Sequence, residues 1–203
     1  MSGITRRRSF AVAAMAFVAA TALVPAGASA SDAARAFIEQ AAARARSEAP
    51  AVKADGGARQ RFAALFAQHF DLDSLISGVM GPRWDGMPPA AQGDFRRAFE
   101  AYLVKAYAER FYTYAGQPMS IVATEPASGG AVLVRTMVRM PKDGSSVPVD
   151  WKVASVGGGQ RITDVVIDGV SLIRTQRDEF ASVIRSNGGD VAKLTAMLNQ
   201  RAQ

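Results

Sequence analysis

The stretch Val147 to Phe180, VPVDWKVASVGGGQRITDVVIDGVSLIRTQRDEF, restricts the fold more than any other part of the chain. Two apolar strands stand on either side of a glycine turn, and the second runs straight into a helix. Side chains alternate across a strand, so Val147, Val149, Trp151 and Val153 share one face. Gly157, Gly158 and Gly159 supply the turn. The second strand, Ile162 to Ile167, is apolar on both sides, with Thr163, Val165 and Ile167 on one and Ile162 and Val166 on the other. A strand with two apolar faces is covered on both, or borders a cavity. No residue set for reaction chemistry lies in this stretch. Together with its apolar interior, that points to a carrier rather than an enzyme.

The remaining chain supplies the partners for these strands. An alanine-rich helix over 32–49, with Phe37, Ile38 and Ala41 on one side, is expected to end at Pro50. Helical spacing resumes over 59–70. Asp71 is placed as an N-cap, with Phe70 and Leu75 as a hydrophobic staple, and Leu72, Leu75, Ile76 and Val79 carry that short helix to Gly81-Pro82. Trp84 falls in a loop. The longest helix covers 90–114, where Phe95, Phe99, Leu103 and Tyr107 recur every four residues and Tyr102, Ala106 and Phe111 widen the stripe. After Gly116 the period switches to strands over 119–125 and 131–140, and Asp143-Gly144 marks a hairpin before the two strands above. Helices over 172–186 and from Asp190 onward close the chain. Helices, then consecutive strands, then helices predict an α+β domain in which helices pack on a curved antiparallel sheet of four to five strands.

The first thirty residues read as a cleavable export signal, leaving 31–203 as one domain. Arg6, Arg7 and Arg8 form a basic start, an apolar run too short to span a bilayer follows, and Ala28-Ser29-Ala30 is a small-x-small cleavage site. Arg7-Arg8-Ser9-Phe10 fits a twin-arginine signal as well as an ordinary secretory leader. Removing the leader takes away three arginines and no acid, so net charge falls from 24 − 18 = +6 to 21 − 18 = +3. Scattered arginines do not make a nucleic-acid surface and equally suit an anionic lipid head or an acidic protein. The chain has no cysteine, so disulfides and thiolate metal sites are excluded.

Candidate reaction chemistry is sparse, and neither a catalytic set nor a cofactor or metal is expected. His69, the single histidine, reads as a packing or capping residue. Asp164 and Asp168 lie about 13 Å apart along an extended strand, wider than a glycosidase pair at roughly 5 to 9.5 Å. Both read as structural. The triple glycine lacks a following helix that could hold phosphate. Tyr102, Tyr107, Phe111, Tyr112 and Tyr114 crowd one helix. With Trp84 and Trp151 they suit a solid core or a ligand cavity equally.

Four segments, HFDLDSLISGVMGPRW, FRRAFEAYLVKAYAERFYTYAGQ, VDWKV and ITDVVIDGVSLIRTQRDEFASVIRSNGGDVAKLTAMLN, resemble in order and content the MlaC family of periplasmic phospholipid-binding proteins, the toluene-tolerance family, including its hopanoid-associated branch. The resemblance implies a cone-like carrier with an internal lipid cavity between sheet and helices. It implies no enzyme activity, a phospholipid ligand, and a periplasmic location. It also implies two partners: an inner-membrane ABC transporter with its membrane-anchored substrate-binding subunit, and an outer-membrane lipoprotein-porin complex. Outer-membrane lipid asymmetry would depend on the traffic. By position in the family's segments, the cavity wall would comprise Leu75, Val79, Leu103, Tyr107, Phe111, Val149, Trp151, Val153, Val165, Ile167, Val170 and Leu172. The turn Gly157-Gly158-Gly159-Gln160 departs from the family's shorter, aromatic one. On this reading Val153→Asp or Val170→Asp should abolish lipid co-purification. A hopanoid cargo, an enzyme of the same shape using Asp164 on a small hydrophobic molecule, and a solid-cored adaptor that binds only proteins are the alternatives.

Overall fold

The computed structural model describes residues 29–203, so nearly all of the expected leader lies outside the described residues. Helix α1 (Ala30–Asp55) opens the domain, followed by α2 (Ala58–His69), α3 (Leu72–Met80) and the long α4 (Pro89–Ala115). Strands β1 (Met119–Pro126), β2 (Val132–Arg139), β3 (Ser146–Val156), β4 (Gly159–Ile167) and the two-residue β5 (Val170–Ser171) come next, and α5 (Leu172–Ser186) and α6 (Val191–Ala202) finish the chain. The strands form one antiparallel sheet in sequence order. The α+β class and the sheet of four to five strands expected from sequence are what the structure contains.

Two helix ends differ from the sequence expectation. Helix α1 passes through Pro50 and stops only at Gly56, whose left-handed backbone (φ 68°) lets its N–H reach the Val52 carbonyl. Proline removes one N–H from the Arg46 carbonyl and crowds the preceding turn. Burial of Ala49 and Val52 on either side of it holds the last turn regardless. At the other end Ser29 is the N-cap. Its Oγ accepts from the Asp32 N–H at 3.1 Å and the Asp32 carboxylate accepts from the Ser29 N–H at 3.3 Å. This capping box satisfies two otherwise orphaned donors, and it straddles the expected cut after Ala30.

A bulge corrects the reading of β4. Lys152 pairs with Asp164 and Val153 with Ile162, which leaves Thr163 as an extra residue. One inserted residue reverses the alternation beyond it. Ile162 therefore joins Val165 and Ile167 on the inner face instead of opposing them.

The core comes in two parts. One is helical, built from α2, α3, α4, α5, α6 and the end of α1, and centred on Phe95, Phe99 and Phe180. The other lies on the sheet, where Val132, Val134, Val153, Ile162 and Val165 pack under Ala34 and Ile38 of α1. Phe70 touches both, and its bridge to Ile162 together with the Asp71 N–H to Ile162 carbonyl bond (3.0 Å) pins the α2–α3 corner onto β4. Between the two parts the layers separate.

Candidate functional site: an apolar cavity between sheet and helices

The gap is a cavity of about 510 Å³, within the size range of small-molecule sites, roughly 300–1,000 Å³. Its floor is the inner face of the sheet: Met119 of β1, Val138 at the end of β2 and Met140 just beyond it, Val147, Val149 and Trp151 of β3, and Ile162, Val165 and Ile167 of β4. Its roof is helical: Ile38, Ala41, Ala42 and Ala45 of α1, Phe62, Leu65 and Phe66 of α2, then Phe70 and Leu75. Helix α4 runs along it with Phe99, Leu103, Tyr107, Arg110, Phe111 and Tyr114. From Phe99 to Tyr114 is 15 residues, about 22 Å at 1.5 Å per residue. An acyl chain occupies about 15 Å, half the hydrocarbon thickness of a bilayer.

Four wall residues are exposed, namely Arg46, Arg110, Tyr114 and Ile167. The start of β1, the end of β2, the start of β3 and the end of β4 all meet at this end of the sheet, beside the C-terminus of α4. This is the mouth. At the opposite end Phe99 and Leu75 are buried and close the cavity.

Nine of the twelve residues expected on the wall stand there: Leu75, Leu103, Tyr107, Phe111, Val149, Trp151, Val165, Ile167 and Leu172. The other three do not. Val79 packs inside the helical core. Val153 is fully buried in the sheet cluster, between Val132 and Ile162. Val170 is 58% exposed on the outside of the β4–β5 turn. The α1 contribution was not anticipated. Ile38, Ala41, Ala42 and Ala45 recur at one-face spacing, and the signal was their small size, since a run of alanines facing inward leaves room that larger side chains would fill.

The wall's few polar groups fall into two kinds. Some are fully engaged. Trp151 donates its indole N–H to Thr136 Oγ1 at 3.2 Å, so the ring turns an apolar surface to the cavity. His69 is not on the wall: it is buried behind it, with Nδ1 2.9 Å from the Leu65 carbonyl oxygen and its ring against Phe37. Among the described residues no cluster of three or more metal-ligating side chains occurs. Asp164 borders the cavity, but its carboxylate accepts from the Val165 N–H (2.8 Å), the Ser171 hydroxyl (2.6 Å) and the Ile173 N–H (3.2 Å). Ser171 in turn caps α5 through the Arg174 N–H. Asp164 is thus the second layer of a helix cap, favoured by the helix dipole. Asp164→Ala should lower unfolding free energy by about 2 kcal/mol, because a charged acceptor is lost from three part-buried donors. Urea denaturation checks this, and a loss below about 0.5 kcal/mol, no more than an ordinary surface substitution, would contradict the capping role.

The others are only partly engaged. Gln176 is 6% exposed, and its Oε1 is buried without a hydrogen-bond partner. The Tyr107 hydroxyl lies near it, and burial pushes that phenol's pKa up, so it stays a neutral hydrogen-bonding group. Among the described residues neither Arg46 nor Arg110 pairs with a carboxylate. Outside the cavity, Tyr112 ties α4 to α1 by donating to Glu48 Oε2 at 2.8 Å, and burial, then this carboxylate, raise its pKa.

Known proteins resemble this chain. A phospholipid-binding protein from Ralstonia solanacearum, solved in complex with a phospholipid, superposes with a TM-score of 0.71 at 25% identity, covering 86% of this chain and 97% of that one. Toluene tolerance protein Ttg2D of Pseudomonas putida is 23% identical over 124 residues, 61% of this chain. The match spans 57% of that relative's length. Residues 35–200 match the family described as MlaC protein. Because that match takes in all but the edges of the described domain, the protein belongs to the MlaC family.

Proposed function

We propose that this protein is a non-catalytic phospholipid carrier that works in the periplasm after removal of its leader. The observation that carries this reading is the long, largely apolar cavity that opens at an exposed rim bearing Arg46 and Arg110. Burying one CH₂ is worth about 0.8 kcal/mol, so a sixteen-carbon chain prefers such a cavity to water by roughly 12 kcal/mol. A lipid crosses an aqueous compartment only if its chains are shielded in this way, and shielding requires volume and a dry lining rather than a reactive group. The Ralstonia solanacearum relative, whose structure holds a phospholipid, supports phospholipid as the cargo. Asp164, the one carboxylate on the wall, is occupied by three donors, which favours a carrier over an enzyme built on it.

The cargo moves between an outer-membrane lipoprotein-porin complex and an inner-membrane ABC transporter with its membrane-anchored subunit. This traffic maintains the lipid asymmetry of the outer membrane. The same 12 kcal/mol that makes the carrier effective makes unassisted release into water slow, so loading and unloading occur in contact with these partners.

Mass spectrometry of organic extracts from protein purified without detergent tests the reading. Phospholipid near one molecule per protein is expected. A hopanoid in its place would keep the carrier and change the cargo. Clean extracts from folded protein would overturn the carrier.

A further inference from the structure

We propose that Arg46 and Arg110 form a phosphate site at the cavity mouth, and that they hold the charged head of a lipid whose chains fill the apolar part. This deepens the carrier reading and rests on it. Three observations lead here.

The first is placement. Arg46 on α1 and Arg110 on α4 are two of the four exposed wall residues, so both residues belong to the mouth. The second is charge. Neither has a carboxylate partner among the described residues, whereas Arg44, the neighbour of Arg46 on α1, pairs with Glu48. The only wall carboxylate, Asp164, is taken up in the α5 cap. The mouth is therefore a local cationic spot without an internal counter-ion. Guanidinium is the side chain best matched to phosphate, because its planar fork offers paired donors and is weakly hydrated.

The third observation is Gln176. A buried amide oxygen without a partner is uncommon and costs free energy until something satisfies it. On α4, Tyr107 lies three residues from Arg110 on the side away from the mouth, about 4.5 Å along the helix, and Gln176 sits beside Tyr107. An ester has no donor for the amide oxygen itself, so the match is made by the flipped amide, whose NH₂ donates to an ester carbonyl while its oxygen turns to the Tyr107 hydroxyl. The wall thus grades from cations at the rim, to a neutral amide and phenol one turn down, to hydrocarbon below. A glycerophospholipid has the same order: phosphate, then ester, then chains. A free fatty acid would satisfy the arginines and leave Gln176 facing bare hydrocarbon.

Uptake from vesicles tests the site. Wild-type protein is offered phosphatidylglycerol and, separately, diacylglycerol of identical chains. It should favour the phosphate-bearing lipid by roughly five- to tenfold, the scale of two partly exposed charge contacts. Arg46→Gln/Arg110→Gln should lose that preference and take up the two lipids alike. Wild-type protein that takes up both lipids equally overturns the phosphate site and leaves the carrier standing. Wild-type protein that takes up neither overturns the carrier itself. A third arm uses inorganic phosphate alone. Binding to wild-type that vanishes in the double variant, without any lipid preference, would assign the arginines to a free anion and overturn the lipid head.

Discussion

Val149→Asp protein is expected to fold normally and to leave the cell without lipid. Val149 sits mid-strand on the cavity floor, paired to Thr136 and Ile167, and is only half-buried. An aspartate there can be hydrated while the cavity is empty, so the fold tolerates it. Once a hydrocarbon chain enters, the carboxylate loses its water and gains no partner. Even a neutral polar group treated this way costs about 1–3 kcal/mol, and a charge costs more. Affinity for lipid should therefore weaken at least about tenfold, since 1.4 kcal/mol is a factor of ten in Kd, and co-purified lipid per protein should fall with it. The measurement is extracted phosphorus against protein, with circular dichroism to confirm folding. Two comparison variants sharpen it. Val170→Asp lies on the outer turn and should retain its lipid. Val153→Asp buries an unpaired charge in the sheet cluster and should fail to fold. Wild-type lipid content in folded Val149→Asp would mean that chains do not occupy this cavity.

Phe180→Ala should be the most damaging apolar truncation in the helical half. Its ring is fully buried and meets Phe95 and Phe99 nearly edge-on, with centroids 6.3 and 5.7 Å away. Tyr102 closes the group at 6.4 Å. Phe180 does not border the cavity. Truncating a buried phenylalanine costs about 3–5 kcal/mol, the sum of lost transfer energy and the void left behind. Set against a total stability of about 5–15 kcal/mol, that is a large share, and the thermal midpoint should drop by roughly 10 °C. Calorimetry on lipid-free protein gives the number. A midpoint within about 1 °C of wild-type would show that the helical half is not the dry, close-packed body described here. The contrast with Val149→Asp is informative, because one substitution removes stability and the other removes cargo.

These two outcomes separate the domain into a part that must be solid and a part that must be hollow. The solid part is the aromatic cluster between α4, α5 and α6. The hollow lies where α1 and α2 lift away from the sheet, lined on one side by alanines that leave space unfilled. The cap made by Asp164 and Ser171 holds α5 against the edge of that hollow. Gly78 of α3 lies so close to Ile173 that a Cβ there would sit 2.8 Å from its Cγ2, so α3 and α5 are in direct contact behind the wall.

Local pattern alone located almost every element. Four-residue spacing of Phe95, Phe99, Leu103 and Tyr107 marked α4, alternation from Val147 to Val153 marked β3, and glycines marked the turns. These features are written in neighbouring residues because backbone periods of 3.6 and 2 are local properties. Three things were not written there. Pro50 stays helical because buried neighbours on both sides outweigh one missing hydrogen bond. Ile162 turns inward because of a bulge at Thr163, which depends on how β3 and β4 register against each other. Most of all, an apolar side chain announces only that it avoids water. Whether it meets another side chain, as Phe180 and Val153 do, or an open space, as Val149 and Leu103 do, depends on the separation of layers assembled from distant parts of the chain. Hydrophobicity is the same in both cases, and the distance between the layers is a property of their packing.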